Sequence, residues 1–400
     1  MTTKTDVLIL GAGVNGLSIA YELCKRGKKV VVAEKSEIGA GASGSCDDMI
    51  LLQSKKPGIL LQMAFGSLEL FKALRDELPC DIEFDTRGGM ILIEDEEQLR
   101  LMEGFVAGQR SYGLEVEIVD KGRVRELQPL VSDHVIASTY SERDSQVNPL
   151  LLMKGFYLGA TAKGLVFLRG AAPEAIEQRA GRWSTRLSNG DEIESGAVVN
   201  AAGAWASHIC SLVGVELPII PRKGQVIVTE QIPPIGATNV WSAKYIASKL
   251  KPVAAKPAAP GASQGAAERY GLGFAFTTTH SGNYLVGSTR ENVGFDKRTE
   301  PEALALMARQ VERFFPVLSK VNFIRSFAGF RPSTTDGMPV IGEVGRLPGF
   351  FVAAGHEGDG IALSPITGKI VADLVEGKAP GYSLDQLSPM RFLDKKEGSR

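Results

Sequence analysis

The chain has 400 residues, more than one hydrophobic core usually organises, so we expect two domains or one large domain with an insertion. Apolar and charged residues make up 44% and 23% of the chain, which is typical of soluble globular proteins. The 45 Lys and Arg nearly balance the 46 Asp and Glu, so charge gives no reason to expect nucleic acid or an anionic membrane as a partner.

Several other classes are disfavoured by missing signals. No stretch reaches the roughly 18 apolar residues of a membrane span, and the chain enters a strand pattern too early for a signal peptide. The cysteines are far apart and form no CxxC pair, so neither a disulfide framework nor a metal site is expected; they are Cys24, Cys46, Cys80 and Cys210. We predict a reduced cytoplasmic protein, with any membrane association peripheral and through partners.

The first predicted elements are a strand, a glycine turn, a helix and a second strand. Residues 7–10 are all apolar, as a parallel strand buried on both faces requires. The GxGxxG that follows is formed by Gly11, Gly13 and Gly16, which allow a tight turn, close approach to a pyrophosphate and helix packing. The second strand ends at Glu34, whose carboxylate can accept ribose hydroxyls and would repel the extra phosphate of NADP. A dinucleotide site is predicted, but this motif does not separate NAD from FAD.

The next part of the chain is mixed. Residues 41–58 are too polar and rich in glycine for a sheet strand, whereas residues 59–78 and 96–112 have helical periodicity. Residues 88–95 are predicted to form a strand between those helices. The segment 248–269 is rich in Ala, Pro and Lys; it is interpreted as a mobile surface loop, with a lid or a subunit contact as the alternative.

The strand–helix pattern then restarts. Asn148 can cap a helix with Pro149 at its first position, and a strand is expected at residues 165–168. An Asn189–Gly190 hairpin leads to a buried strand at residues 197–200, which opens onto small residues.

Two further regions complete the predicted organisation. The strand signals between residues 219 and 323 alternate, which favours a half-exposed antiparallel sheet, and a helix is expected near 300–315. A strand at residues 350–354, a glycine turn and a helix starting near Ile361 follow. Residues 380–400 are polar and predicted to be peripheral.

Nucleotide-type architecture therefore appears at the start, the middle and the end of the chain. A cofactor long enough to touch all three regions is more easily FAD than NAD. We predict a discontinuous FAD-binding domain at 1–80, 145–220 and 324–400, and a substrate-binding domain at 81–144 and 221–323.

Three motifs carry a resemblance to a known family: GAGVNG with Glu34, VVNAAGAWA, and GFRPSTTDGMPVIG followed by GFFVAAGHEGDGI. With them the chain resembles the D-amino-acid-oxidase-like FAD-dependent oxidoreductases, which include glycine and sarcosine oxidases and D-amino acid dehydrogenases. LLQSKKPG and LVGSTRENVGFDKR are most similar to the flavin subunits of heteromeric opine, proline and hydroxyproline dehydrogenases and of cyanide-forming glycine dehydrogenase. The implied fold is α/β: a Rossmann-like FAD-binding domain of the glutathione-reductase type, with an inserted α+β substrate domain built on an antiparallel sheet.

The resemblance also implies which residues contact FAD. They are Gly11, Ala12, Gly13, Val14, Asn15, Gly16, Glu34 and Lys35 at the ADP half; Ala42, Ser43, Gly44, Ser45, Cys46, Asp47, Asp48 and Met49 along the ribityl chain and flavin; Ala201, Ala202, Gly203 and Trp205 beside the pyrophosphate; and Gly355, His356, Gly358, Asp359, Gly360 and Ile361 at the flavin edge. Pro173 stands where relatives contact adenine through a backbone N–H, so that contact is lost or displaced here. Relatives that attach FMN covalently use a histidine where this chain has Asn148, so any FMN is expected to be noncovalent and shared with a partner.

Three residues are implied in catalysis: Arg331, Tyr245 and His356. Arg331 falls where relatives bind the substrate carboxylate; the alternative is a structural arginine paired with Asp336 or Glu343. Tyr245 falls near a tyrosine that contacts substrate in relatives. For His356 a donor or base at the flavin edge and a structural histidine both remain open.

Other residues of the flavin loops also have a purely structural interpretation. Cys46 is better read as a small buried apolar residue than as a reactive thiol. Asp47 and Asp48 can hydrogen-bond the ribityl chain or cap a turn. Residues 355–360, before a helix N-terminus, are predicted to offer N–H groups to the flavin edge, with Glu357 and Asp359 pointing away.

The function implied is FAD-dependent dehydrogenation of an amino acid or carboxylated secondary amine, with electrons passed to iron–sulfur or second-flavin subunits of a larger complex. One alternative is a self-sufficient oxidase that makes hydrogen peroxide. Another is a flavin-binding electron-transfer subunit without chemistry of its own. The residues do not choose among glycine, proline, hydroxyproline, D-amino acid and opine substrates.

Overall fold

The computed structural model describes residues 2–250 and 265–397. The strands are β1 (Thr2–Leu10), β2 (Val30–Glu34), β3 (Met49–Ile50), β4 (Gly89–Ile93), β5 (Glu117–Asp120), β6 (Ala137–Ser141), β7 (Ser145–Gln146), β8 (Val166–Arg169), β9 (Pro173–Arg179), β10 (Arg182–Leu187), β11 (Glu192–Asn200), β12 (Ile219–Thr229), β13 (Asn239–Ser242), β14 (Ala275–Thr278), β15 (Tyr284–Gly287), β16 (Phe323–Thr334), β17 (Val340–Glu343) and β18 (Phe350–Ala354). The helices are α1 (Val14–Lys25), α2 (Ile59–Glu77), α3 (Glu96–Ser111), α4 (Lys121–Leu127), α5 (Pro149–Thr161), α6 (Ala206–Ser211), α7 (Ala243–Leu250), α8 (Ala266–Arg269), α9 (Pro301–Phe314), α10 (Gly360–Val375) and α11 (Met390–Glu397).

The first sheet has the order β17-β18-β11-β1-β2-β8, with the β9–β10 hairpin attached to the start of β11. Strands β18, β11, β1, β2 and β8 are parallel to their neighbours, and β17 is an antiparallel edge. The apolar side chains of β18, β11, β1 and β2 are buried on both faces, as their continuous apolar sequences predict. Strand β8 lies at the edge and is partly exposed. The carboxyl ends of β1, β2, β11 and β18 therefore meet along one edge, where parallel sheets bind ligands.

Helices α1 and α10 pack together on one face of this sheet. Ser18 Oγ donates a hydrogen bond to Ser364 O (2.9 Å), and Arg26 pairs with Asp373 at 2.7 Å and with Glu376 at 3.1 Å. A Cβ on Gly368 would lie 2.2 Å from Ser18 Oγ and 2.9 Å from its backbone carbon, so the helices approach to backbone distance. The last long helix of the chain thus covers the first one.

The second sheet has the order β16-β12-β15-β14-β13-β4-β6-β5. All its neighbours are antiparallel except β13 and β4, which confirms the antiparallel pairing predicted for residues 219–323 and adds one parallel pair. The predicted half exposure is wrong for β13 and β15, in which every residue is buried. An aromatic core lies beneath it, in which Phe274 stacks on Phe314 with centroids 4.4 Å apart. The ladder of β12 and β16 places Arg222 opposite Arg331 and Gly224 opposite Gly329.

Most predicted elements are confirmed by the structure, including the Asn148 cap and the first-position Pro149 of α5. The polar stretch 41–58 does contain a two-residue strand, β3, which pairs with β7. Residues 251–264 of the predicted 248–269 loop lie outside the described residues, so its interpretation stays a prediction, as do the domain boundaries. Within the described chain, no helix has the length and apolar character needed to cross a membrane.

Candidate active site

A cavity of about 640 Å³ lies between the carboxyl ends of the parallel strands and one face of the second sheet. On the first side it is lined by strand ends at Leu10, Ala33, Ala201 and Ala354, and on the other side by residues of β12 and β16. The parallel sheet of the chain places the ends of four strands here, and the antiparallel sheet supplies the opposite wall.

The glycine turn forms part of the wall of this cavity. Gly11 has φ +110, and a Cβ there would lie 2.8 Å from Ala201 O; a Cβ on Gly16 would lie 2.0 Å from Gly11 O. The first turn of α1 has no acidic residue and no side-chain cap at Gly13. The start of α1 is therefore not covered by side chains of the helix itself and carries the positive end of the helix dipole, which suits a pyrophosphate.

Glu34 lines the cavity beside this turn. Its carboxylate accepts hydrogen bonds from Ala12 N and Ser36 N, both at 2.8 Å. Each oxygen has a second lone pair, so the carboxylate is held in place and can still accept the hydroxyls of a ribose. Ala12 itself does not line the cavity; its N–H orients Glu34.

The loop after β2 forms the adjoining wall. Ser43 Oγ accepts a hydrogen bond from Val14 N (3.1 Å), which ties this loop to the first turn of α1. Cys46 Sγ donates to Ser43 O (3.3 Å), and burial raises the pKa of the Cys46 thiol well above its usual value. A protonated, hydrogen-bonded Cys46 fits the apolar reading and not that of a reactive thiol.

The two aspartates of this loop are placed differently. Asp47 lines the cavity, whereas Asp48 does not. Asp48 has φ +61, and burial, followed by the charges of Asp47 and Glu83, raises the pKa of its carboxyl to about 8. Asp48 is therefore neutral near pH 7.

Pro173 also lines the cavity. The neighbouring N–H groups are already used, because Ala171 N donates to Glu34 O (2.9 Å) and Ala172 N donates to Ser188 Oγ (3.0 Å). Pro173 has none, so the described backbone at 171–173 offers the cavity no free N–H donor. Trp205 also lines the cavity, stacked on Phe295 (4.8 Å) with Lys35 Nζ 3.5 Å from its ring centroid.

The loop before α10 brings His356 into the cavity wall, with its side chain only 3% exposed. Its Nδ1 lies 3.3 Å from Asn15 Nδ2 and its Nε2 lies 3.1 Å from Thr367 Oγ1. Burial lowers the pKa of His356 to about 4, so the ring is neutral at pH 7. With both ring nitrogens engaged, this histidine links the loop to α1 and α10.

Asp359 stands at the N-cap position of α10, but its side chain does not cap the helix. It pairs instead with Lys55, whose Nζ lies 2.7 Å from Asp359 Oδ1 and also donates to Leu51 O (2.7 Å) and Ser54 Oγ (3.1 Å). Lys55 is 1% exposed, so this ion pair is buried. Asp359 does not line the cavity, and its carboxylate is directed to Lys55.

Glu357 has φ +51 and lines the cavity. Its Oε1 lies 3.6 Å from Arg290 Nε and 4.0 Å from an Nη of Arg222. The guanidinium of Arg290 lies over the Tyr245 ring, 4.3 Å from its centroid. Tyr245, on α7, forms part of the same wall and is 8% exposed.

Arg331 lies on the wall formed by the second sheet, over Gly224, where a Cβ would come within 2.2 Å of its Nη1. Its two Nη atoms donate to Thr289 O (2.9 Å) and Ser288 Oγ (2.6 Å), and it has no ion pair with a described residue. The proposed structural pairing is wrong, because Asp336 pairs with Arg391 and Glu343 accepts from Gly349 N. Arg331 is thus held by uncharged oxygens, and no carboxylate of the described chain neutralises its guanidinium.

The structure brings most of the predicted site residues together. Those that line the cavity are Gly11, Gly13, Val14, Asn15, Glu34, Lys35, Ala42, Ser43, Ser45, Cys46, Asp47, Pro173, Ala201, Ala202, Gly203, Trp205, Tyr245, Arg331, His356, Gly358, Gly360 and Ile361. Those that do not are Ala12, Gly16, Gly44, Asp48, Met49, Gly355 and Asp359. Two of the latter support the residues that line the cavity. Gly16 lets α1 pack on the glycine turn, and Gly44 allows a close backbone approach, since a Cβ there would lie 2.4 Å from Gly39 O.

Sequence reasoning missed the wall residues Gly224, Gly329, Ser288 and Lys297, and it did not place Glu357 at the cavity. A usable signal was present for two of them, since a glycine inside a strand pattern often marks a close approach of another group. Gly224 lies under Arg331, and Gly329 faces Ser45, whose Cβ would be 2.6 Å from a Cβ there.

A bare glycine turn, an oriented acid after the second strand and a second glycine loop on one cavity define a dinucleotide-binding oxidoreductase. The chain belongs to the family described as "DAO: FAD dependent oxidoreductase", whose match extends over residues 6–374. The residues around the cavity fit FAD, which is the cofactor of this family.

Known relatives agree with this assignment. The glycine oxidase of Geobacillus kaustophilus (strain HTA426) is 30% identical over 407 residues, covering 99% of each chain. Hydrogen cyanide synthase subunit HcnC of Pseudomonas aeruginosa is 27% identical, covering 98% of this chain and 97% of that one. The crystal structure of L-proline dehydrogenase from P. horikoshii superposes with a TM-score of 0.86 at 25% identity, covering 99% of both chains. The chain is therefore an FAD-dependent enzyme that oxidises amino acids or amines.

Proposed function

We propose that the substrate is an amino acid or secondary amine that carries a carboxylate, and that Arg331 binds this carboxylate. The observation that carries the proposal is the state of Arg331, whose guanidinium lines the cavity with no carboxylate of the described chain paired to it. Two of its five N–H groups are used by Thr289 O and Ser288 Oγ, which fix its plane. The remaining donors suit the two oxygens of a carboxylate.

The bound FAD supplies the chemistry, by accepting a hydride from the amine-bearing carbon. The residues of the chain position the substrate: Arg331 fixes the carboxylate, and Tyr245 closes the neighbouring wall. The FAD contacts are proposed at the bare first turn of α1, at Glu34, along residues 42–47 and at residues 356–361. His356 is assigned a positioning role, because both of its ring nitrogens already have partners.

Arg331→Ala tests the proposal directly. We expect the KM for a carboxylated amine to rise by about ten-fold or more, because charge-assisted hydrogen bonds contribute about 1.5–3 kcal/mol. The flavin content should stay at the wild-type level. The matched control is Arg325→Ala, which removes an exposed arginine from the same strand. A variant with unchanged steady-state kinetics would remove Arg331 from the substrate site.

Anaerobic bleaching of the bound flavin identifies the substrate. The screen uses glycine, sarcosine, D- and L-proline, hydroxyprolines, D-amino acids and opines. If no carboxylated amine bleaches the flavin, the protein is a flavin-binding electron-transfer subunit and the proposal fails.

We further propose that electrons pass to partner subunits. The similarity to a subunit of hydrogen cyanide synthase supports this route, whereas the similarity to glycine oxidase supports a self-sufficient oxidase. Oxygen uptake by the purified chain with its best substrate separates them. Slow uptake, together with fast reduction of an artificial acceptor, is expected; rapid peroxide formation would identify an oxidase. An iron–sulfur or FMN-sharing partner and a cytoplasmic location stay predictions.

A further inference from the structure

A network of buried polar side chains lies on the face of the second sheet that points away from the cavity. Gly224 and Val226 of β12 line the cavity, so Lys223 and Gln225, which alternate with them, project to the opposite face. Both are buried, as is Glu291, whose carboxylate they contact. Lys223 Nζ lies 3.4 Å from Glu291 Oε2, and Gln225 Nε2 donates to Glu291 Oε1 (2.7 Å). The groups proposed to bind substrate do not include this ion pair.

The strand pairing beside β12 contains an irregularity at the same place. Val226 pairs with Gly287, and Lys223 pairs with Glu291 through two backbone hydrogen bonds of 2.9 and 3.0 Å. Three residues between Gly287 and Glu291 therefore stand opposite two residues of β12, which is the arrangement of a β-bulge. A bulge interrupts the ladder, so some of its backbone groups can be directed to another partner.

Thr289 lies in this bulge and connects its two sides. Its hydroxyl accepts a hydrogen bond from Gln225 N (3.0 Å), so this donor of β12 is satisfied by a side chain instead of a carbonyl. The Thr289 carbonyl is thereby left for Arg331, whose Nη1 donates to it (2.9 Å). Ser288 Oγ, also in the bulge, accepts from the other Nη of Arg331 (2.6 Å). The bulge therefore supplies both oxygens that hold Arg331.

Glu291 fixes the orientation of the Thr289 hydroxyl. Because that hydroxyl accepts from Gln225 N, its single proton is donated to Glu291 Oε1, at 2.5 Å. The same oxygen accepts from the Gln225 side chain, so both of its lone pairs are used. Lys223 supplies the opposite charge that a buried carboxylate requires, and its Nζ also donates to Arg298 O (3.0 Å). The ion pair therefore stabilises the hydroxyl and, through it, the bulge.

We propose that Glu291, paired with Lys223, is a positioning residue for substrate binding that acts through Thr289 on Arg331. This inference rests on the proposed function, because it needs Arg331 to bind the substrate carboxylate. Two parallel hydrogen bonds to a carboxylate require a fixed guanidinium plane, and misplacement of a substrate by about 1 Å can lower the rate about 100-fold. Glu291 does not line the cavity, so it sets this plane without touching the substrate.

Binding of methylthioacetate and of its neutral amide, methylthioacetamide, to the FAD-loaded protein tests the inference. Neither compound has an amine that can be dehydrogenated, so calorimetry reports binding alone. Arg331→Ala should weaken the binding of methylthioacetate by about ten-fold or more. Glu291→Gln keeps the size of the side chain and removes its charge; it should weaken this binding by about three-fold or more, because residues of one network are coupled. The affinity for methylthioacetamide should stay close to the wild-type value in both variants.

The double variant separates an action through Arg331 from a general structural effect. If Glu291 acts through Arg331, Glu291→Gln should weaken methylthioacetate binding no further in the Arg331→Ala background. Equal weakening in both backgrounds, or no effect of Glu291→Gln alone, would overturn the inference while the proposed function stands. If Arg331→Ala itself leaves methylthioacetate binding unchanged, the proposed function fails and the inference fails with it.

Further variants keep the test decisive if Glu291→Gln folds poorly. Thr289→Val removes the hydroxyl and should reproduce the loss of affinity, whereas Thr289→Ser retains the hydroxyl and should recover most of it. Glu94→Gln is the matched control: the Glu94 side chain, directly after β4 of the same sheet, is 5% exposed against 6% for Glu291 and pairs with Arg313. It should lower stability in urea and leave methylthioacetate binding at the wild-type level. Unchanged binding in Thr289→Val, or an equal loss in Glu94→Gln, would contradict positioning by this network.

Discussion

Replacement of Lys55 by methionine tests the buried ion pair that holds the start of α10. The three N–H groups of Lys55 are all used, by Asp359, Leu51 O and Ser54 Oγ. Methionine has a similar length and is apolar, so it fills the space but supplies neither the charge nor the donors. Removing one partner of a buried ion pair costs about 3–5 kcal/mol, because the other charge stays buried. The positive end of the α10 dipole returns only about 0.3–1 kcal/mol of this to Asp359.

The expected loss in the free energy of unfolding is therefore about 3 kcal/mol, measured from urea denaturation followed by flavin release and by circular dichroism. Flavin should be released at lower urea than in the wild type, because the loop that Asp359 ends lines the cavity. Lys56→Met is the matched control: Lys56 is the next residue, is only partly buried and makes no ion pair with a described residue.

A double variant separates lost charge pairing from lost packing. Lys55→Met combined with Asp359→Asn removes both charges, and we expect it to be more stable than Lys55→Met alone. The reasoning would be refuted if Lys55→Met and Lys56→Met lowered stability equally, or if the second substitution added its own loss to the first.

Two further variants probe the cofactor loops. Gly16→Ala should lower the flavin content of the purified protein, measured from its visible absorbance, because its Cβ would meet Gly11 O at 2.0 Å; Gly104→Ala, at a helical glycine with nothing within 4 Å, should keep full flavin and gain about 0.5–1 kcal/mol. Burial lowers the pKa of His356 from 6.5 to about 4, so only the unfolded chain binds this proton between those values. Stability from this group is complete above pH 6.5 and is lost as the pH falls toward 4, by about 3 kcal/mol. His356→Gln should reduce the change of the urea midpoint with pH over that range. If the pH dependence is the same as in the wild type, other groups cause it.

The cofactor half of the site could be predicted because its signals are local. The spacing of Gly11, Gly13 and Gly16 and the acid at the end of β2 lie within one strand–helix–strand unit, and each residue is read from its immediate neighbours. The loop before α10 was recognised in the same way, from a buried strand followed by glycines.

The substrate half depends on pairing that no local pattern specifies. Arg222 becomes a neighbour of Arg331 only through the register of β12 and β16, and a shift of one residue would turn each side chain to the other face. Lys55 resembles a surface lysine because its sequence neighbours are polar, yet it is buried and pairs with Asp359, 304 residues further along the chain. Burial of this kind is decided by tertiary structure.

The packing of α10 on α1 also bears on biosynthesis. The ribosome releases α1 at the beginning of synthesis and α10 close to the end, so the apolar surface of α1 that α10 covers must wait for more than 330 residues, the interval between Lys25 and Gly360. Contacts between such distant segments form slowly, and incomplete chains expose hydrophobic, aggregation-prone surface until these contacts form. The cavity proposed for the flavin is lined by residues of the same late segment, so we expect cofactor loading to follow completion of residues 356–361. Apoprotein made faster than α10 can dock is accordingly the form most in need of chaperones.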